Sequence, residues 1–124
     1  MHAAALPHGY LDKLFTAIDA KDAAEFATYL AEDGVFRFGS APPVTGRAAI
    51  QQAVAEFFDT IDSLAHSVSK VWRDEHSLVC EGEVCYRRLD GREVIVPFVD
   101  VFECAEGLIA SYKIYMDIAP LYAD

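Results

Sequence analysis

The sequence is poor in basic charge: ten Lys and Arg stand against twenty Asp and Glu, a formal net charge of −10. Nucleic acid and anionic membrane surfaces both select clusters of Lys and Arg, so neither is an expected partner. The acidic residues are scattered rather than gathered in a tail, which reads as a solubilising surface. No apolar run approaches the roughly 20 residues of a membrane span. The N-terminal "MHAAALPHGY" has neither a basic segment nor a long apolar stretch, so it does not read as a signal peptide, and a cytoplasmic location is expected. Cysteines are few and odd in number. Cys80, Cys85 and Cys104 sit in strand-like surroundings and read as reduced, mostly buried thiols. There is no CxxC, and His2, His8, His66 and His76 lack the spacings of a metal site, so no metal is expected. Glycine-rich nucleotide loops are missing too, so no nucleotide site can be argued, and a GxSxG nucleophile turn is also absent.

What is present is apolar. The 124 residues are 53% hydrophobic, enough for one core and one domain over residues 1–124. Leu11, Leu14, Phe15 and Ile18 share one helical face. Asp22 with Glu25 reads as the start of a second helix carrying Phe26, Tyr29 and Leu30. "VFRF" is strand-like, and "GSAPPVTG" is a loop. Ile50, Val54, Phe57, Phe58 and Ile61 mark a third helix. After Ser63 the period changes to two, giving strands near 65–73, 77–88, 93–104 and 107–118, with a hairpin at Asp90-Gly91. Helices followed by strands predict an α+β fold: three N-terminal helices packed on one face of a bent, mainly antiparallel sheet.

The segment "IVPFVDVFEC" is apolar on both faces. Val94, Val96, Phe98 and Phe102 fall on one face; Ile95, Val99 and Val101 fall on the other, which predicts cover by a second subunit. Pro97 inside the strand predicts a bulge. Asp100 lies in the middle, where a lone ionised carboxylate costs several kcal/mol. By parity it faces inward with Phe98 and Phe102. His66 shares parity with Val68 and Trp72, Tyr86 with Leu78, Cys80 and Val84, and Tyr112 with Ile114 and Met116. All could line one apolar cavity, the expected form of a small-molecule site.

The order of elements, with "AEDGVFRF", "GRAAI" and the closing "GLIASYKIYMD", resembles the SnoaL-like branch of the nuclear transport factor 2 superfamily, over almost the whole chain. The resemblance implies a cone-shaped α+β barrel around a deep apolar cavity, no cofactor, and members ranging from polyketide cyclases to non-catalytic modules. "PFVDVFEC" is similar to the ketosteroid isomerase strand that carries a protonated aspartic acid, at Asp100. That enzyme's general base falls on Phe38 and its tyrosine at or beside Leu14, so the isomerase reaction itself is not expected. The scytalone dehydratase aspartate and first histidine fall on Asp19 and His66; its tyrosine falls on Ile18. The epoxide hydrolase Asp–Arg–Asp set fails, with Ile114 at one aspartate. Asp117 in "YMD" matches the family pattern.

The candidate site is therefore Asp100 and His66 as catalytic groups. Tyr86, Tyr112, Phe36, Phe38, Phe98, Phe102, Trp72, Met116 and Asp19 are its candidate lining. Two functions from different classes remain open. One is a cofactor-independent cyclase, isomerase or dehydratase acting on a polyketide-, steroid- or terpenoid-like molecule, with Asp100 or Tyr86 as donor and His66 as base. The other is a ligand-binding or dimeric assembly module. In that case the tyrosines and His66 are satisfied core groups, and Asp100 accepts a tyrosine hydroxyl or a bulge amide to hold the sheet together.

Overall fold

In the computed structural model, which describes residues 9–124, helix α1 (Tyr10–Asp19) buries Leu14, Phe15 and Ile18, the face set by their spacing. His2, His8 and the rest of the first eight residues lie outside the described part. The chain leaves α1 through Lys21, whose φ of 57° turns it sharply. Lys21 Nζ donates to the carbonyls of Ile61 and Asp62, fastening the end of α1 to the sheet. Asp22 caps α2 (Ala23–Ala27) by accepting from the Glu25 amide at 3.0 Å. This helix is shorter than its sequence pattern predicts. Tyr29 lies past its end, and Leu30 opens strand β1 (Leu30–Phe38), where the Arg47 guanidinium holds its carbonyl through two donors. Asp33 is an exposed residue of β1.

After the short β2 (Val44–Thr45), α3 (Arg47–Phe58) buries Ile50, Val54 and Phe58. Ile61, assigned to this helix from its spacing, instead begins β3 (Ile61–Arg73). β4 (Ser77–Arg88), β5 (Glu93–Ala105) and β6 (Leu108–Tyr115) complete a strongly curved, unclosed six-stranded sheet in the order β2-β1-β6-β5-β4-β3. β1 and β6 run parallel and the other neighbours antiparallel, so the sheet is mixed. The Asp90-Gly91 hairpin forms as its residues demand. Gly91 takes φ 90°, and Asp90 Oδ1 accepts from the Arg92 amide. The last strand ends at Tyr115, not near residue 118, and a short α4 (Ala119–Tyr122) follows with Leu121 buried.

Two positions, Pro97 and the stretch after Val68, decide which side chains face inward. Pro97 produces no bulge: β4 and β5 pair without a shift from Ser77↔Glu103 to Arg87↔Glu93. Pro97 lies beyond the last β5–β6 pair, Val99↔Tyr115, so on that side β5 is a free edge where a missing N–H is tolerated. Inward parity therefore runs unbroken along β5, and Val96, Phe98, Asp100 and Phe102 are all buried. The bulge is in β3, between Val68 and Lys70. It puts Val71 opposite Cys80 and turns Trp72 opposite Val79, on the outer face, 43% exposed. Trp72 was expected to face the interior, and the extra residue reverses it. Gly82 sits opposite this bend. A Cβ there would fall 1.9 Å from the Ser67 carbonyl oxygen, so only glycine lets β3 fold down so closely.

Candidate functional site

Asp100 lies at the centre of the inner face of β5, opposite Cys80 of β4 and Ile114 of β6, and is 1% exposed. Its one protein partner among the described side chains is Tyr112 of β6, whose hydroxyl donates to Oδ2 at 3.0 Å. Tyr112 is held by rings: Phe102 at 4.4 Å, Phe36 edge-on at 5.3 Å and Phe26 at 6.1 Å between centroids. The second carboxyl oxygen, Oδ1, is buried with no hydrogen-bond partner among the described residues. Burial disfavours the charge and pushes the Asp100 pKa up to about 8, against the smaller opposite pull of the Tyr112 hydrogen bond. A pKa of about 8 makes the carboxylic acid the major form of Asp100 at neutral pH. The donor imagined for a purely structural Asp100 is thus present, but it satisfies one oxygen and leaves the other unexplained.

Asp19 and His66 form a second polar unit. Asp19, the last residue of α1, does not cap its own helix. Its Oδ2 accepts from the His66 backbone N–H at 2.9 Å, and its Oδ1 lies 2.6 Å from Nδ1. A carboxylate that grips both backbone and ring fixes the imidazole and commits Nδ1 as donor, which leaves Nε2 for a ligand. Phe15 stacks on the ring at 4.5 Å and Phe98 meets it edge-on at 5.3 Å. His66 thus pairs with Asp19, not with Asp100. By register His66 is level with Val84 and Val96, four residues along β5 from Asp100, and both side chains line the same concave face of the curved sheet.

Both units border one pocket of about 660 Å³. Of the lining residues expected from sequence, Phe36, Phe38, Tyr86, Phe98, Tyr112 and Met116 are there with Asp100 and His66. Three are not. Trp72 is on the outer face, for the reason given. Phe102 is fully buried one layer back, packed on the Tyr112 ring. Asp19 stands behind His66, bonded to the imidazole, and does not itself line the pocket. Tyr86 is 2% exposed, and among the described residues its hydroxyl has only the Met116 sulfur, at 3.8 Å, as partner. A thioether is a weak acceptor, so this donor is nearly free. Burial, then the field of Asp100, raises the Tyr86 pKa and keeps the hydroxyl protonated.

Other wall residues escaped the strand parity argument. Phe57, Phe58 and Val54 come from α3, and their signal was the apolar face of that helix. Ile118 and Tyr122 come from the C-terminal segment, and no pattern in the sequence marks them. Asp117 stands at the pocket and caps the turn into α4 by accepting from the Ala119 amide. Among the described residues, no three or more His, Cys, Asp or Glu are grouped to hold a metal ion, and no helix is long and apolar enough to cross a membrane.

Comparison with known proteins places this geometry. A putative SnoaL-like polyketide cyclase from Jannaschia sp. CCS1 superposes with a TM-score of 0.79 at 17% identity, covering 90% of this chain and 85% of that one. A protein of ketosteroid isomerase-like fold from Catenulispora acidiphila DSM 44928, solved with trimethylamine, gives 0.83 at 17% identity, covering 94% and 90%. An LEH-like epoxide hydrolase of M. tuberculosis gives 0.76 at 14% identity, covering 90% and 83%. These likenesses speak for the fold. Residues 11–112 match the family model of the SnoaL-like domain, and the chain belongs to that family.

Proposed function

We propose that the helices and curved sheet form a cone whose cavity binds a small apolar molecule carrying a carbonyl oxygen. The ligand is polyketide-, steroid- or terpenoid-like in character. The observation that carries this reading is the unpartnered Oδ1 of a buried, neutral Asp100 on the wall of an apolar pocket. A buried polar atom without a partner is destabilising, and a ligand oxygen accepting from it removes that cost. The kinship with a family that includes polyketide cyclases supports the same ligand class. We extend the reading to cofactor-independent acid/base chemistry over the whole chain acting as one cytoplasmic domain. Asp100, with Tyr86 as a second donor, stabilises the oxyanion that forms when His66 Nε2 removes a proton from the carbon next to the carbonyl. Asp19 holds the ring and stabilises the imidazolium. Steroid isomerisation by the isomerase residue set is not proposed, since Phe38, packed at a tilt against Phe57, cannot take a proton.

The test needs no knowledge of the natural substrate. 1-Tetralone in deuterated buffer exchanges the hydrogens next to its carbonyl when a base removes them. Wild-type protein should accelerate the exchange, and His66→Gln should reduce the acceleration by about 10²-fold or more, the usual contribution of a positioned base. Binding without exchange, seen by native mass spectrometry, would leave a ligand-binding module; no binding of tetralone or comparable ketones contradicts the proposal altogether.

The assembly side of the proposal has its own observation. Ile95 is 62% exposed on the outer face of β5, beside half-buried Val99 and Val101, with exposed Trp72 and Tyr115 on the same face. We propose that a second copy of the chain covers this face.

A further inference from the structure

We propose that Tyr112 is a positioning residue that fixes the acid proton of Asp100 on Oδ1, and so tunes the pocket to a ligand oxygen that accepts a hydrogen bond. The inference rests on the carbonyl-binding reading of the cavity and deepens it.

A neutral carboxyl against a phenol allows two arrangements. In one, the Tyr112 hydroxyl donates to Oδ2, the carbonyl-like oxygen, and the acid proton sits on Oδ1. In the other, the acid proton sits on Oδ2 and points at the Tyr112 oxygen; the phenol proton must then find another acceptor, and Oδ1 becomes an acceptor for the ligand. The surroundings decide between them. The Tyr112 oxygen lies 3.0 Å from Oδ2, and the ring is enclosed by Phe26, Phe36 and Phe102. The second arrangement strands a buried phenol proton among rings, which costs the desolvation of an unpaired donor. The first leaves only Oδ1–H unpartnered, at the pocket, where a ligand completes it.

The titratable groups facing Asp100 are Tyr112 on β6 and Cys80 and Tyr86 on β4. Burial raises all three, so all are neutral when Asp100 titrates. The helix α2 and the strand β1 present Phe26 and Phe36 to the Tyr112 ring, and β3 contributes His66 to the same pocket, paired with Asp19.

The experiment has a ligand-free arm and a ligand arm. In the first, the ¹³C carboxyl resonance of Asp100 is titrated in wild type and in Tyr112→Phe. Loss of a hydrogen bond that favours the carboxylate should move the midpoint up; a midpoint unchanged or lower overturns the proposal. In the second, wild-type protein is offered 1-tetralone, tetralin and 1-aminotetralin at pH 6. The ketone should bind at least about tenfold more tightly than the hydrocarbon, and its infrared carbonyl band should fall in frequency, an effect weakened in Tyr112→Phe. Preference for the amine, or a carbonyl band indifferent to Tyr112, overturns the assignment of the proton. Should Tyr112→Phe fail to fold, the three-ligand comparison in wild type still decides the matter. Should no ketone bind, the carbonyl reading fails, while the ligand-free titration still tests Tyr112.

Discussion

The buried carboxyl of Asp100 ties the stability of the fold to pH. Asp100 has a folded-state pKa of about 8, while in the unfolded chain it returns to the ordinary value near 4. Between those limits the folded state binds the extra proton, so stability falls as pH rises from about 4 to about 8 and the effect then levels off. In urea unfolding, Asp100→Asn should therefore gain on wild type as pH is raised from 5 to 8, by at most about 1.4 kcal/mol per pH unit; a constant difference contradicts an acid that stays neutral in the fold. The position was legible in the sequence because strand parity is a strict rule where no bulge intervenes, and β5 has none at Asp100. The candidate His66 was legible for the same reason, since it precedes the bulge in its strand. Its bond to Asp19 was not, because a contact between the end of α1 and β3 depends on how the helix is docked.

At the scale of elements, helix faces and hairpin turns followed local chemistry, and boundaries did not. Leu30 continues an apolar helical stripe, yet it pairs with Ile109 in the sheet and its carbonyl is held by Arg47. Tertiary pairing overrides the local pattern there. Trp72 shows the sharper failure. Counting by twos assigns it to the interior, and one extra residue after Val68 turns it out. The missing signal lies on the partner strand, in Gly82, whose lack of a side chain admits the bend. Gly82→Ala should push β3 off β4 and destabilise the fold by about 1–3 kcal/mol, the usual penalty for overpacking. Thermal unfolding reads this directly, and an unchanged midpoint contradicts the close approach. The C-terminal turn carrying Ile118 and Tyr122 contributes to the pocket wall without any periodic pattern, since a single short turn offers too few residues to show one.

For the whole molecule, two surfaces of one sheet divide the labour. The inner face holds Asp100, Tyr112 and Tyr86 against apolar walls. The outer face exposes Ile95, Trp72 and Tyr115, apolar area that a second copy can cover. The proposed cover by a second copy predicts a wild-type dimer that Ile95→Glu shifts toward monomer in light scattering at micromolar concentration while leaving the pocket intact; a monomeric wild type contradicts it. The inner face carries the central claim, that a neutral Asp100 presents a hydrogen-bond donor to a ligand in the cavity. The most direct measurement is the ¹³C carboxyl titration of Asp100 in the ligand-free wild-type protein, with the resonance assigned from Asp100→Asn. The account predicts a protonated carboxyl at pH 7 and a midpoint near 8. A midpoint near 4, the value of an ordinary exposed aspartate, would show an ionised group and contradict it.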